Sequence, residues 1–229
     1  MPALEPRGFN RSVPASSYFP SWLRDEFRKR LELWPLVFAP KTLSVVLHLR
    51  RSDLERHDTR VTPDEYYYRV VRDIQGLSSN RAMEVHVWSS TQNNPFFRGK
   101  HWAIQDFDGY RQRNMTVHLD EEINSSRALL NARAHMARAD VFVMSQSSFS
   151  IVPAYMNTNC VIYPSNIDAP LENWIDGSKN RSSSYVRRLQ QCLERAERRL
   201  KSKGGGADQE VRWMKAKKQH PSAPEPQRL

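Results

Sequence analysis

Cysteine is almost missing from this chain: two residues, Cys160 and Cys192, in 229. With no CxxC pair, they make neither a disulfide framework nor a zinc site. Glycine is scarce as well, at eight residues, and none of it forms the Gly-rich loop that cradles phosphate in many nucleotide-binding folds. No run of about twenty apolar residues occurs, which excludes a membrane-spanning helix. The opening Met-Pro-Ala-Leu-Glu-Pro-Arg lacks the apolar core of a signal peptide. The expectation is a cytosolic chain, or one whose natural start lies upstream. Acidic residues are outnumbered, 25 against 35 lysines and arginines, for a formal charge of +10. That excess favours anionic partners such as nucleic acid, nucleotides or acidic membrane surfaces. Much of it falls toward the C-terminus, so it is not a property of the core. Hydrophobic residues, at 39%, are lean for a globular protein, and part of the chain is expected to stay unpacked.

What is present is organised around Ser44 to Asp53, Ser-Val-Val-Leu-His-Leu-Arg-Arg-Ser-Asp. A short Val/Leu run bounded by polar residues reads as a buried strand. The period-two rule puts His48 and Arg50 on one face and Leu47, Leu49 and Arg51 on the other. Polar groups in a buried strand are costly unless partnered, so an abrupt change to Arg-Arg-x-Asp marks the edge of a site. Ligands of open α/β sheets bind beyond the carboxyl ends of strands, and paired arginines there suit a diphosphate. The plain alternative is an ion-paired strand end, with Arg50 or Arg51 bridging Asp53 or Glu55.

Around that stretch, helical and strand patterns alternate. Ser21 to Leu36 reads as a helix with an apolar stripe through Trp22, Leu23, Phe27 and Leu31, ended by Pro35 and Pro40. Thr62-Pro63-Asp64-Glu65 starts a second helix running to about Gly76. Strands follow at Glu84–Ser90, Asn114–Leu119, Val141–Met144 and Cys160–Tyr163. Helices are expected over 123–139 and Ser147–Asn157, and Asn94–Phe107 fits a short helix. Such alternation predicts an α/β fold, a Rossmann-like, doubly wound parallel sheet of about five strands. Residues 1–20 read as extended or disordered, 21–165 as the Rossmann-like domain with its leading helix, and 166–203 as a loop and an amphipathic helix. A basic disordered tail spans 204–229.

Between Val141–Met144 and the next helix lies Ser145-Gln146-Ser147-Ser148-Phe149-Ser150. Hydroxyls where a strand hands over to a helix can cap that helix, and its first N–H groups can meet an anion. His57-Asp58 with His48 has no third partner at metal-ligand spacing, so no metal site is expected. His86 and His118 fall in predicted strands and read as core or face residues. Sequons stand at Asn10, Asn114, Asn124 and Asn180 and mildly favour a lumenal ancestor.

These residues carry a resemblance. His48-Leu49-Arg50-Arg51-Ser52-Asp53 resembles the His-x-Arg-Arg-x-Asp motif of the GDP-fucose-dependent fucosyltransferases of GT-B architecture, the α1,2, α1,6 and protein-O-fucosyltransferase group. Ala139-Asp140, the apolar strand after it and Ser147-Ser148-Phe149-Ser150 are similar to that group's later motif. Leu23-Arg24-Asp25-Glu26-Phe27 resembles the segment leading into the first motif. The resemblance covers about residues 21–165. It implies a single GT-B half, the donor-binding one, using GDP-fucose as substrate with no cofactor and no metal. By the same resemblance Arg50 and Arg51 would be catalytic and would hold the diphosphate. His48 and Asp53 would brace their loop; Ser147, Ser148 and Phe149 would line the donor pocket, with Ser89 beside them. Where the family carries an acidic residue in the helix before Ala-Asp, this chain reads Leu129-Leu130-Asn131-Ala132-Arg133. The acceptor, a glycan or glycoprotein, would be met by an N-terminal half or a partner chain not contained in these residues. A Golgi or secretory lumen follows for a chain with a longer natural N-terminus, the cytoplasm otherwise.

Two other functions compete. The domain could bind a sugar nucleotide without catalysing transfer. Alternatively, Arg187-Arg188, Arg195, Arg198-Arg199, Lys201, Lys203 and Lys215 to Lys218 form a basic helix and tail suited to nucleic-acid phosphates, although no RRM, KH, zinc-finger or helix-turn-helix pattern accompanies them.

Overall fold

A computed structural model describes residues 20–32, 34–51, 53–78, 81–91, 102–119, 126–165, 167, 170–179 and 182–203. The segments read as disordered, 1–19 and 204–229, lie outside the described residues, as do Ser52 and the sequons at Asn10, Asn124 and Asn180. The helices are α1 (Ser21–Glu32), α2 (Asp64–Leu77), α3 (Asp108–Arg111), α4 (Ser126–Arg138), α5 (Ser148–Met156) and α6 (Ser183–Lys203). The strands are β1 (Leu43–His48), β2 (Met83–Ser89), β3 (Thr116–Leu119), β4 (Val141–Val143), β5 (Cys160–Tyr163) and β6 (Ile175–Asp176). They form one sheet in the order β3-β2-β1-β4-β5-β6, with every neighbouring pair parallel.

Every residue of β1 is buried, which is why it reads as a near-continuous apolar run: helices cover both faces of a parallel sheet. On one face Leu43, Val45, Leu47 and Leu49 pack with Tyr67, Val70 and Ile74 of α2 and with Leu189 and Leu193 of α6. On the other, Val46, Phe142 and Val161 pack with Met136 of α4 and Ala154 of α5. Outside that layer, Leu31 of α1 packs with Ala134, Ala137 and Met156. The chain leaves β1 toward β2 and β3, then crosses back to β4. The β1/β4 boundary is therefore the switch point where α/β sheets open a crevice.

A half-buried clamp keeps β1 and β4 level. The Asp140 carboxylate accepts from the Ser44 amide at 3.1 Å and its hydroxyl at 2.9 Å, while the Asp140 amide donates back to Ser44 Oγ at 3.0 Å. Asp140 of the Ala-Asp pair thus fixes where β4 starts relative to β1. With Val45 beside Val141 and Leu47 beside Val143, the two strands end together.

The structure corrects several expectations. The parallel sheet of about five strands gains a sixth: Ile175–Asp176 lies inside the stretch read as a loop and is too short to show periodicity. Helix α1 ends at Glu32, before Leu36. The third strand starts at Thr116 because Asn114 takes a left-handed φ of 56° in a turn. Within Asn94–Phe107, a 3-10 turn at Ile104–Phe107 runs into α3, and 94–101 lie outside the described residues. The basic helix is partly occupied by the fold itself. Arg188 donates to the carbonyl of Trp174 at 3.0 Å and to that of Glu172, and Arg199 sits 3.8 Å from Asp140.

The largest correction concerns cysteine. Cys160 on β5 and Cys192 on α6 are buried and joined by a disulfide, with Cα atoms 5.7 Å apart and a sequence separation of 32. A single bridge needs no framework; it needs α6 to lie across β5. Constraining that loop in the unfolded chain is worth about 2–4 kcal/mol. Reduction, or Cys160→Ala with Cys192→Ala, is expected to lower the melting temperature by several degrees in differential scanning calorimetry. An unchanged melting temperature would show that the bridge does not form.

Candidate functional site

Because β1 and β4 end level, their exits share one cleft of about 350 Å³. His48, Arg50, Arg51 and Asp53 border it from the β1 exit, Ser89 from β2, and Ser147, Ser148 and Phe149 from the start of α5. All the site residues named from sequence therefore meet at one opening, but they do different things there.

Alternation along β1 persists past the strand and separates the two arginines. Arg51 continues the Leu47/Leu49 side, beneath α2, and is only 2% exposed. Its Nη2 donates to the Asp64 carboxylate at 2.6 Å and to the Thr62 carbonyl at 3.1 Å. Its Nη1 holds the Arg50 carbonyl at 3.2 Å, and the guanidinium lies 4.6 Å from the Trp102 ring centroid. Asp64 Oδ1 also accepts from the Tyr110 hydroxyl at 2.6 Å. Burial, reinforced by the Asp64 charge, pushes that phenol well above its ordinary range. Sequence reasoning assigned Arg51 to the diphosphate; its guanidinium is occupied by Asp64, Thr62 and the main chain of Arg50.

Arg50 faces the opposite way, into the cleft. Its Nε lies 3.0 and 3.1 Å from the two Asp53 carboxylate oxygens, and its Nη2 also donates to Asp53. Nη1 donates to the Gln146 carbonyl at 3.3 Å, so each terminal nitrogen keeps a second N–H. The hydrogen bond from Arg50 holds the Asp53 carboxyl below its usual pKa. The ion pair expected as the plain alternative is thus present, at the mouth of the cleft.

His48 joins the two exits. Its Nδ1 lies 2.9 Å from Ser145 Oγ and 2.5 Å from Ser150 Oγ, and its ring is 5.0 Å from that of Phe149. Burial first, then the Arg50 and Arg51 charges, lowers its pKa from 6.5 to about 3. Ser147 caps α5, its Oγ accepting from the Phe149 amide at 3.2 Å. The positive end of that helix is directed at the cleft, where it favours an anion. Ser89 has a scaffold role, donating to the Leu49 carbonyl at 2.8 Å, and Ser148 is exposed.

Beneath this rim lies a floor that the motifs did not reveal. Trp88, His118, Asn131, Ala132 and Met136 also line the cleft. Trp88 stacks on His118 at 4.1 Å and 8°, and His118 meets His86 through a 3.0 Å nitrogen–nitrogen contact. Both histidines, expected to be core or face residues, are buried. His135, on the other side of Trp88, accepts from the Val37 amide at 3.1 Å and reaches the Asn131 carbonyl at 2.8 Å. Burial lowers its pKa from 6.5 to about 4. The usable signal was period-two spacing from Trp88 to the strand end, with helical spacing from Ala132 to Met136. Among the described residues no three His, Cys, Asp or Glu side chains gather as metal ligands.

A pH dependence follows. His48 and His135 are folded with pKa values of about 3 and about 4, below 6.5, so unfolding takes up protons between those limits. Stability is full above pH 6.5 and falls as pH drops, by roughly 1.4 kcal/mol per pH unit for each histidine. Urea denaturation at pH 7 and pH 5 is expected to show a lower midpoint at pH 5. His135→Gln, which cannot take up that proton, is expected to flatten the dependence. A midpoint that rises on acidification contradicts the assignment of both rings as buried and neutral.

No protein-family model matches the chain, and no curated protein does. Solved structures that align with part of the chain include two of POFUT1. POFUT1 in complex with GDP is 15% identical with a TM-score of 0.31, over 59% of this chain and 44% of that one. POFUT1 in complex with GDP-fucose is 15% identical with a TM-score of 0.30, over 59% of this chain and 42% of that one. The chain thus spans less than half the length of these structures.

Proposed function

We propose that the cleft binds a nucleoside diphosphate sugar, with GDP-fucose as the donor, for metal-independent transfer of fucose to a glycan or protein acceptor. The carrying observation is the convergence of the Arg50 guanidinium and the α5 N-terminus at the joint exit of β1 and β4. The sequence resemblance of 48–53 and 139–150 supports the choice of donor.

As the bond between fucose C1 and the β-phosphate oxygen breaks, its electron pair leaves with the diphosphate. The remaining Nη protons of Arg50 and the first amides of α5 are placed to stabilise that charge. Asp53 keeps Arg50 oriented. Held acidic by Arg50, it is a poor general base. The acceptor oxygen forms the new bond to C1, and its proton passes to a base on the acceptor-binding side. The Cys160–Cys192 bridge favours an oxidising, secretory compartment as the place of folding.

Incubation with GDP-fucose, following GDP release by chromatography with and without a glycoprotein acceptor, tests the reading. Release that persists in EDTA and is lost in Arg50→Ala is expected. Binding without release would support the inactive, sugar-nucleotide-binding alternative. Exposed Arg187, Arg195, Arg198 and Lys201 on α6 keep the nucleic-acid alternative testable: salt-sensitive RNA retention, with GDP-fucose neither bound nor cleaved, would replace the donor reading.

A further inference from the structure

Counting charge at the cleft exposes a deficit. Arg50 is matched by Asp53 and Arg51 by Asp64, while His48 is buried without a counter-charge. These groups sum to nothing, whereas a diphosphate brings at least two negative charges out of water. Dehydrating such an ion is costly unless uncompensated positive charge meets it.

One guanidinium beside the cleft has no such commitment. Arg133 lies on α4, on the side that presents Leu129, Ala132 and Met136 to the cleft, at the i, i+3, i+4, i+7 spacing of one helix face. Its Cζ sits 4.9 Å from the ring centroid of Phe149, a residue of the cleft wall next to Ser147 and Ser148. Among the described residues it pairs with no carboxylate, and its Nε is buried without a hydrogen-bond partner. Arg24 and Arg28 on α1 have the same unmatched Nε, so it is the position of Arg133 against Phe149, together with the unmatched donor, that points to an acceptor in the cleft. The bland role, a cation stacked on an aromatic ring, accounts for the stacking and not for the orphaned Nε–H.

We infer that Arg133 is a second anion ligand of the cleft, contributing the net positive charge that the Arg50–Asp53 pair lacks. The inference rests on the nucleotide-sugar reading for the identity of the anion, but not for its charge. Phe149 sets the direction of the guanidinium, and the α5 N-terminus lies next to it. The ligand class is a phosphate ester or diphosphate, held between Arg133 and Arg50.

The test titrates the full chain with GDP, inorganic pyrophosphate and guanosine by calorimetry, comparing wild type with Arg133→Gln, Arg133→Lys and Arg50→Gln. Arg133→Gln is expected to weaken GDP and pyrophosphate by about tenfold or more. Guanosine should be unaffected, Lys should restore much of the loss, and the melting temperature should barely move. Unchanged affinity in Arg133→Gln beside a loss in Arg50→Gln overturns the role of Arg133 and leaves the nucleotide reading standing. Arg133-dependent binding of pyrophosphate, with no preference for GDP over it, keeps the anion role and overturns the nucleotide reading. Equal losses in Gln and Lys with a lowered melting temperature would make Arg133 a packing residue, and no binding of either probe by folded wild type overturns both claims.

Discussion

Arg51→Ala is expected to destabilise the domain by about 2–3 kcal/mol, less than the loss of a fully buried ion pair because the Asp64 side chain is 36% exposed. The guanidinium is 2% exposed and ties four parts of the fold together: the Arg50 carbonyl, the loop at Thr62, the first residue of α2 and the Trp102 ring. Truncation leaves the half-exposed Asp64 carboxylate with the Tyr110 hydroxyl and water but no cation, and strips the Thr62 and Arg50 carbonyls of their buried donor. Arg51→Lys keeps the charge but cannot fork to Asp64, Thr62 and Arg50 together, so it should recover only part of the loss. Urea denaturation measures this directly. A change below about 1 kcal/mol, the range of an exposed pair, would mean that Arg51 is not held as described.

Its neighbour should behave in the opposite way. Arg50→Ala is expected to leave stability within about 1 kcal/mol, because its pair with Asp53 is partly exposed, at 24% and 36%. Its effect should fall on the ligand. A charge-assisted contact to a diphosphate is worth about 2 kcal/mol or more, roughly a thirtyfold loss of affinity. The contrast is the informative part: adjacent arginines, one folding the domain and one serving the cleft, because a strand exit sends successive side chains to opposite faces. Arg50→Ala that unfolds the chain, or that binds GDP as wild type does, would reverse the assignment.

The division of labour was partly legible. Alternation from Leu47 to Arg51 already placed Arg51 beside Leu47 and Leu49, the face that α2 covers. What was missing was Asp64, which the sequence showed only as an acid at a helix start, with nothing to say that it receives a buried arginine from a strand. The parallel sheet was legible because β1, β4 and β5 are continuous Val-rich runs. Strand β6 was not, since two residues carry no period and Ile175 is placed by pairing with Ile162. The Cys160–Cys192 bridge depends on α6 crossing β5, a tertiary fact that spacing does not contain. Arg133 stood in the sequence only as a departure from the family's pattern. Its meaning depends on Phe149, which local sequence cannot bring near.

The measurement that bears most directly on the central claim is calorimetric titration of GDP-fucose into the purified chain, wild type beside Arg50→Ala. Micromolar, one-to-one binding by wild type, weakened about thirtyfold or more in the variant at unchanged melting temperature, is the expected result. Failure of well-folded wild type to bind GDP-fucose, or equal binding by Arg50→Ala, would contradict the claim that this cleft is a donor site.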